Sequence, residues 1–392
     1  MRINKTSYKS TTIDDYNTII DVRTPLEFGE DHIPRSVNYP VLTNKQRHEI
    51  GLKYKENSFL AKKEGASIIS ANISKIINKI KFDKKNKTLI YCWRGGLRSL
   101  SLYLVLKQIG YDVTLLEGGY KTYRGYVVDF FENNTDKFKF NQIMGVTGVG
   151  KTLFIRELSK KYQVIDFEGL AKHKGSILGN IPNTVQPSQK LFETLIYEKL
   201  HSFNSRKNIW VEAESIKVGK LSIPSKIWKN MPLGKNVKIK SNLNERVKFI
   251  LKDYKYFTNS PDLMKNALIV LKKIIPKEEF KLIEVNLKKK EYFQFVKSLI
   301  EYHYDRAYRK TRAENDSNIY KEIYLNKINL INIKRVIKEA EDSKAKAIVF
   351  EINTFGGRVD AATQIKDAIL SSKVQTIGFI NRRAISAGAL IS

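Results

Sequence analysis

The chain has 392 residues, enough for two or three domains, and its 42% hydrophobic and 11% aromatic content excludes wholesale disorder. Lys and Arg number 70 against 40 Asp and Glu, a formal net charge of +30. A single cysteine, Cys92, excludes an internal disulfide and a Cys-based zinc cluster, and apolar runs such as 348–350 and 387–391 are far too short to span a bilayer.

From residue 19 to about 131, strand-like and helical runs alternate. Residues 19–22 and 88–92 read as buried strands, 100–109 as a helix and 113–116 as another strand, which argues for an α/β layer fold. The polar stretch 132–139 reads as a linker. A second α/β unit begins at Phe140 with a short strand, a Gly-rich turn and a helix. Its later part is helical, with Phe249, Leu251, Tyr254, Leu268, Leu271, Ile274 and Ile275 at helical spacing. A third α/β segment starts near Asn318, with helices expected at 332–343 and 361–370 and strands at 347–352 and 375–380. The expected domains are therefore 1–131, 140–312 and 318–392. The polar N-terminus, 1–15, lacks the apolar core of a signal peptide, so a cytoplasmic protein without a membrane partner is expected.

The charge is unevenly spread. Residues 1–200 carry 32 basic and 20 acidic side chains, 201–312 carry 26 and 11, and 313–392 carry 12 and 9. A general lysine bias would spread evenly, so the excess at 201–312 points to a face for a polyanion. Lys235, Lys238, Lys240, Lys288, Lys289 and Lys290 are its candidate phosphate contacts.

Cys92 ends a strand and precedes Trp93-Arg94-Gly95-Gly96-Leu97-Arg98-Ser99, which leads into a helix. A cysteine there meets free backbone N–H groups and the positive end of a helix dipole, with Arg94 and Arg98 adding positive charge. Gly95 and Gly96 let the backbone curl around an anion. The loop reads as a reactive thiolate beside an anion cradle. It resembles the active loop of rhodanese-type domains, as do Asp21-Val22-Arg23, His32-Ile33-Pro34 and Glu117-Gly118-Gly119-Tyr120-Lys121. Asp31 and Arg35 stand where that family more often has glycines.

Gly145-Val146-Thr147-Gly148-Val149-Gly150-Lys151-Thr152 fits the G-x-x-x-x-G-K-[ST] pattern between an apolar strand and a helix. Its backbone N–H groups, framed by Gly145, Gly148 and Gly150, would cradle a diphosphate, with Lys151 on the oxygens and Thr152 near a metal. Farther on, Trp210-Val211-Glu212-Ala213-Glu214-Ser215-Ile216 is an apolar strand ending in Glu212 and Glu214, which could hold Mg2+ through water. The pattern leaves the phosphate compound open.

The Trp after the cysteine, residues 166–176, residues 186–190, and the Glu-Ala-Glu-Ser block together resemble the tRNA 2-selenouridine synthases over about 13–312. Tyr302-His303-Tyr304-Asp305 resembles that family's C-terminal part. The resemblance implies a rhodanese-like domain followed by a P-loop domain with a helical C-terminal part. It also implies that sulfur of a wobble 2-thiouridine in tRNA is replaced by selenium from selenophosphate, by way of an S-geranylated intermediate made from geranyl diphosphate. Cys92 would handle selenium transfer, and Gly148, Gly150, Lys151 and Thr152 would hold the diphosphate. A selenophosphate-producing enzyme would be a partner. The alternative is an NTP-dependent P-loop kinase with a rhodanese appendage.

Residues 347–360 and 384–390 resemble Clp-like membrane-bound serine peptidases of the nodulation-efficiency type, with Gly357 at the oxyanion-hole position and Ser386 at that of the nucleophile. Phe355 replaces the usual proline. A serine nucleophile needs a base, and that family's lysine lies beyond Ser392, so a partial Clp/crotonase-like α/β fragment or scaffold is expected rather than a working peptidase.

Overall fold

Four consecutive buried residues, as in Thr88–Tyr91, mark a strand covered on both faces, which parallel sheets require. The computed structural model describes residues 3–9, 13–213, 215–258, 260–312, 319–342, 347–354 and 375–384. Its N-terminal sheet contains β1 (Lys5–Thr6), β2 (Thr18–Asp21), β3 (Val37–Asn38), β4 (Thr88–Tyr91) and β5 (Val113–Leu116), in the order β1-β5-β4-β2-β3 with every pairing parallel. Five helices accompany it: α1 (Pro25–Glu30), α2 (Asn44–Glu56), α3 (Ser58–Lys79), α4 (Leu97–Gln108) and α5 (Gly119–Asn133). α3 buries Ala61, Gly65, Ile69, Ile73 and Ile76, one stripe at three- and four-residue spacing. α4 starts three residues before its expected position because Gly96 caps it.

The second sheet contains β6 (Phe140–Met144), β7 (Gln163–Ile165) and β8 (Ile209–Glu212); a separate hairpin is formed by β9 (Lys217–Val218) and β10 (Leu221–Ser222). With β11 (Asn236–Ser241) and β12 (Ile319–Leu325), the sheet order is β12-β11-β6-β8-β7, again parallel throughout. Around it lie α6 (Lys151–Leu158), α7 (Phe167–Ala171), α8 (Gln189–Ser202) and α9 (Ser225–Asn230). The helical part comprises α10 (Leu243–Asp253), α11 (Lys255–Thr258), α12 (Pro261–Leu271), α13 (Lys277–Lys288), α14 (Tyr292–Leu299), a π-helical turn Ile300–Tyr304, and α15 (Asp305–Arg312). β12 falls in the stretch expected to open the third segment, yet it pairs with β11 from Asn236 opposite Ile319 to Ser241 opposite Leu325.

The polar stretch 132–139 is not a free linker. α5 runs through to Asn133, and Thr135 and Phe138 beyond it are buried, because the chain passes directly into the next core. α5 packs on α8: Tyr123 Oη lies 3.1 Å from Thr194 Oγ1, Arg124 is ion-paired with Glu193, and Phe130 meets Tyr197 edge-on at 5.0 Å. The aromatic cluster at this joint belongs to one buried core spanning both sheets.

Residues Leu330–Ser392 form a separate compact unit. Its described elements are α16 (Leu330–Asp342) and a parallel pair, β13 (Ala347–Thr354) with β14 (Gln375–Ala384). The expected helix 361–370, and Gly357 and Ser386, lie outside the described residues.

Phe192→Ala empties a fully buried position of the shared core. It is expected to cost about 3–5 kcal/mol, read as a lower midpoint in denaturant unfolding followed by circular dichroism.

Candidate functional site

Cys92 sits where β4 ends, 3% exposed. Its Sγ accepts from the Gly96 N–H at 3.2 Å and from the Ser99 hydroxyl at 3.2 Å, and lies 3.9 Å from the Gly96 carbonyl. The following loop is braced from beneath by the start of α5. Tyr120 N–H donates to the Cys92 carbonyl at 2.8 Å and Lys121 N–H to that of Trp93 at 3.0 Å. Only glycine fits at position 119, where φ is +59° and a Cβ would stand 2.3 Å from the Cys92 carbonyl oxygen.

Asp21 and Arg23 lie below this loop as a fully buried ion pair at 2.6 Å. Arg23 also donates to the Asp31 carbonyl at 2.6 Å and lies over the Tyr120 ring at 4.0 Å. The Asp31 carboxylate accepts from the Tyr120 hydroxyl at 2.7 Å. Burial pushes the Asp31 carboxyl up, against the hydrogen bonds from Tyr120 and Thr194 that favour its charged form. Asp31 therefore serves as a brace for the tyrosine under the cysteine loop.

Arg94, two residues after Cys92, is exposed. Arg98 is not open to an anion in the same way, because its guanidinium forks onto Glu27 at 2.7 and 3.2 Å. Burial works against the Glu27 carboxylate, but the Arg98 hydrogen bonds and charge, with the Thr24 contacts, hold its pKa below the ordinary value.

The second constellation lies beyond the carboxyl ends of β6 and β8, the edge where ligands bind in open α/β sheets. Gly145, Gly148, Gly150, Lys151 and Thr152 converge on one cleft of about 400 Å³. Gly150 caps α6, and Lys151 Nζ donates to the Gly145 carbonyl at 3.2 Å. Gly148 has φ +86°, and a Cβ there would stand 2.8 Å from Ile250 Cδ1. Glu212, 2% exposed at the end of β8, also lines the cleft; Glu214 lies outside the described residues.

The cleft gathers residues to which the sequence assigned no individual role. Glu168 Oε2 lies 3.5 Å from Thr152 Oγ1. Lys174 pairs with Asp253 at 2.6 Å and lies over the Tyr254 ring at 4.1 Å. Burial lowers the pKa of His173, opposed by an Asn180 hydrogen bond, and burial likewise lowers that of His303. Arg156 completes the cationic lining. The 166–176 block held Glu168, His173 and Lys174, so its polar density was the available signal.

An apolar cavity of about 70 Å³ adjoins the cleft, sharing Thr147, Ser176, Ile250, Tyr254 and Tyr304 with it. Its remaining wall comes from Leu178 and from α10–α12, α14 and the π turn, including Leu251, Phe257, Phe295 and Leu299.

The 186–190 block joins the two halves. Gln186 holds the hairpin through Val218 and Lys220, and Gln189 through Ser222. Ser188 bonds to the Glu30 carbonyl, and Lys190 pairs with Glu30 at 2.7 Å while lying 6.0 Å from the centroid of the Trp93 ring. The six lysines of the basic tract do not line the cleft: Lys240 pairs with Glu322, Lys288 with Glu284 at 3.5 Å, and Lys235 lies over Tyr320.

Residues 6–125 match the rhodanese-like domain, 138–268 the tRNA 2-selenouridine synthase AAA domain and 324–392 the NfeD1b N-terminal domain. Proteins named tRNA 2-selenouridine synthase from Shewanella halifaxensis and Shewanella pealeana are each 31% identical to the chain, over 64% and 65% of it and 70% and 71% of their own lengths. One from Psychromonas ingrahamii is 34% identical over 60% of this chain and 64% of its own. The chain belongs to the tRNA 2-selenouridine synthase family. It is an enzyme of that family, built of a rhodanese-like and a P-loop-type α/β domain. No helix among the described residues is long and apolar enough to cross a membrane.

Glu27→Gln tests the brace on the cysteine loop. The depressed carboxyl contributes stability above the ordinary glutamate value of 4.5 that is lost as pH falls through the lower folded value. The variant is expected to melt lower at neutral pH and to lose less on acidification, read from thermal melts between about pH 7 and about pH 3.

Proposed function

We propose that the chain replaces the sulfur of a wobble 2-thiouridine in tRNA with selenium from selenophosphate, through an S-geranylated intermediate made in the P-loop domain. In the first step the thiocarbonyl sulfur attacks C1 of geranyl diphosphate; the S–C bond forms, the C–O bond breaks, diphosphate leaves and the base gives up its N3 proton to solvent. In the second, selenium of selenophosphate adds at C2 of the base and geranylthiol leaves. Hydrolysis of the remaining Se–P bond releases phosphate.

The observation that carries this reading is the apolar cavity beside the P-loop. A nucleotide offers no chain to fill it, whereas a prenyl diphosphate has an anionic head for Gly148, Gly150, Lys151 and Thr152 and a hydrocarbon tail for the cavity. A cavity of ~150 Å³ holds benzene, so about 70 Å³ takes the end of the chain only. The rest would lie in the cleft against Ile177, Ile181 and Phe249. Thr152 and Glu168 fit a Mg2+ that keeps its waters and phosphate oxygens. Such an ion would neutralise charge on the diphosphate.

Cys92 is the residue proposed to act in selenium transfer. The donors from Gly96 and Ser99 both have sulfur as acceptor, and Arg94 stands open beside them for the phosphate of selenophosphate. The enzyme is read as cytoplasmic. A selenophosphate-producing enzyme is its supplier, and 201–312 is the tract that faces tRNA. Gly357 and Ser386 are read as vestigial.

Mass spectrometry of tRNA nucleosides tests the assignment. Lys151→Ala is expected to abolish S-geranylation with geranyl diphosphate, and Cys92→Ala to abolish selenation of pre-geranylated tRNA. Full selenation by the Cys92 variant together with full geranylation by the Lys151 variant would sink it. Replacing Lys288, Lys289 and Lys290 with alanine is expected to weaken tRNA binding across sequences and to flatten its salt dependence, by about one unit of log–log slope for each lysine that neutralises a phosphate. An unchanged slope in filter binding would exclude those three lysines.

A further inference from the structure

Arg246 sits on α10, 5% exposed, and does not line the cleft. Its Nε donates to the Thr147 carbonyl at 2.8 Å, and its two terminal nitrogens fork onto Asp305 at 3.0 and 2.6 Å. Thr147 and the next residue, Gly148, do line the cleft. A trans peptide is planar and carries its C=O and N–H on opposite sides. Drawing the Thr147 carbonyl outward to a buried guanidinium therefore turns the Gly148 N–H the other way.

We infer that Arg246 is a positioning residue that orients the Thr147–Gly148 peptide, and with it the anion cradle, from outside the cleft. Asp305 holds the guanidinium flat and in place, as a bidentate carboxylate does. Asp305 begins α15 directly after the π turn, whose His303 and Tyr304 also line the cleft. One side chain thus ties the phosphate loop to the C-terminal wall. Lysine could reach one of the two partners but could not fork onto both.

The inference rests on the P-loop as a diphosphate site, so inorganic pyrophosphate is the probe, titrated calorimetrically into the full chain. Arg246→Met combined with Asp305→Asn removes both charges and leaves no buried charge unpaired. It is expected to unfold cooperatively yet bind pyrophosphate about tenfold more weakly, the worth of one oriented hydrogen bond to a charged group. Asp305→Asn alone keeps the Thr147 contact and is expected to lose less than about threefold, with Arg246→Lys in between. Should the double variant fail to fold, the Arg246→Lys value decides, and an unchanged affinity there overturns the inference. Equal affinity in the unaltered chain and a folded double variant overturns it too, leaving the diphosphate reading intact. No binding by the unaltered chain overturns both.

Discussion

The packing of α5 on α8 is the contact on which the rest of the enzyme depends. α5 begins directly beneath Cys92, where Tyr120 N–H holds the Cys92 carbonyl, and α8 is capped by Ser188, which reaches back to Glu30 of the first domain. Between those ends, Tyr123, Phe130 and Tyr197 are part of one buried core. A close-packed interior transmits position with little slack. The cysteine loop and the P-loop sheet are therefore held in one frame rather than joined by a tether.

Buried charge follows a consistent rule in this frame. The buried Arg23 and Arg246 and the half-buried Arg98 are each taken up by a carboxylate, and Arg23 and Arg246 also each hold a backbone carbonyl. A buried guanidinium left alone would be costly, so pairing is what makes these positions tolerable. Of the cations that line the cleft, Lys174 is likewise paired with Asp253, while Lys151 and Arg156 are placed where an anionic ligand would enter. The net charge of +30 describes neither group. It reflects a broad lysine surface whose ion pairs with Glu284 and Glu322 are largely solvent-exposed and individually weak.

Much of the architecture was legible because it obeys local rules. The apolar runs at β2, β4 and β5 lie within a residue of their expected limits, and both glycine-rich turns stand at strand ends. The departures have physical causes. The tract 132–139 is polar in composition, yet Thr135 and Phe138 are buried because neighbouring elements close over them. Arg98 carries the charge expected of an anion ligand, but Glu27, 71 residues away, reaches it.

The order of motifs, the cysteine at a strand end and the phosphate-loop glycines belong to the sequence alone, since each depends on backbone freedom or charge within a few neighbouring residues. Which cations remain open, which carboxylate braces Tyr120, and the apolar cavity beside the phosphate loop were decided only by tertiary structure. Those properties are made by residues far apart in the chain, such as Arg246, Thr147 and Asp305. Burial, pairing and cavity shape arise when separate elements close on one another, and no local pattern of residue types records that.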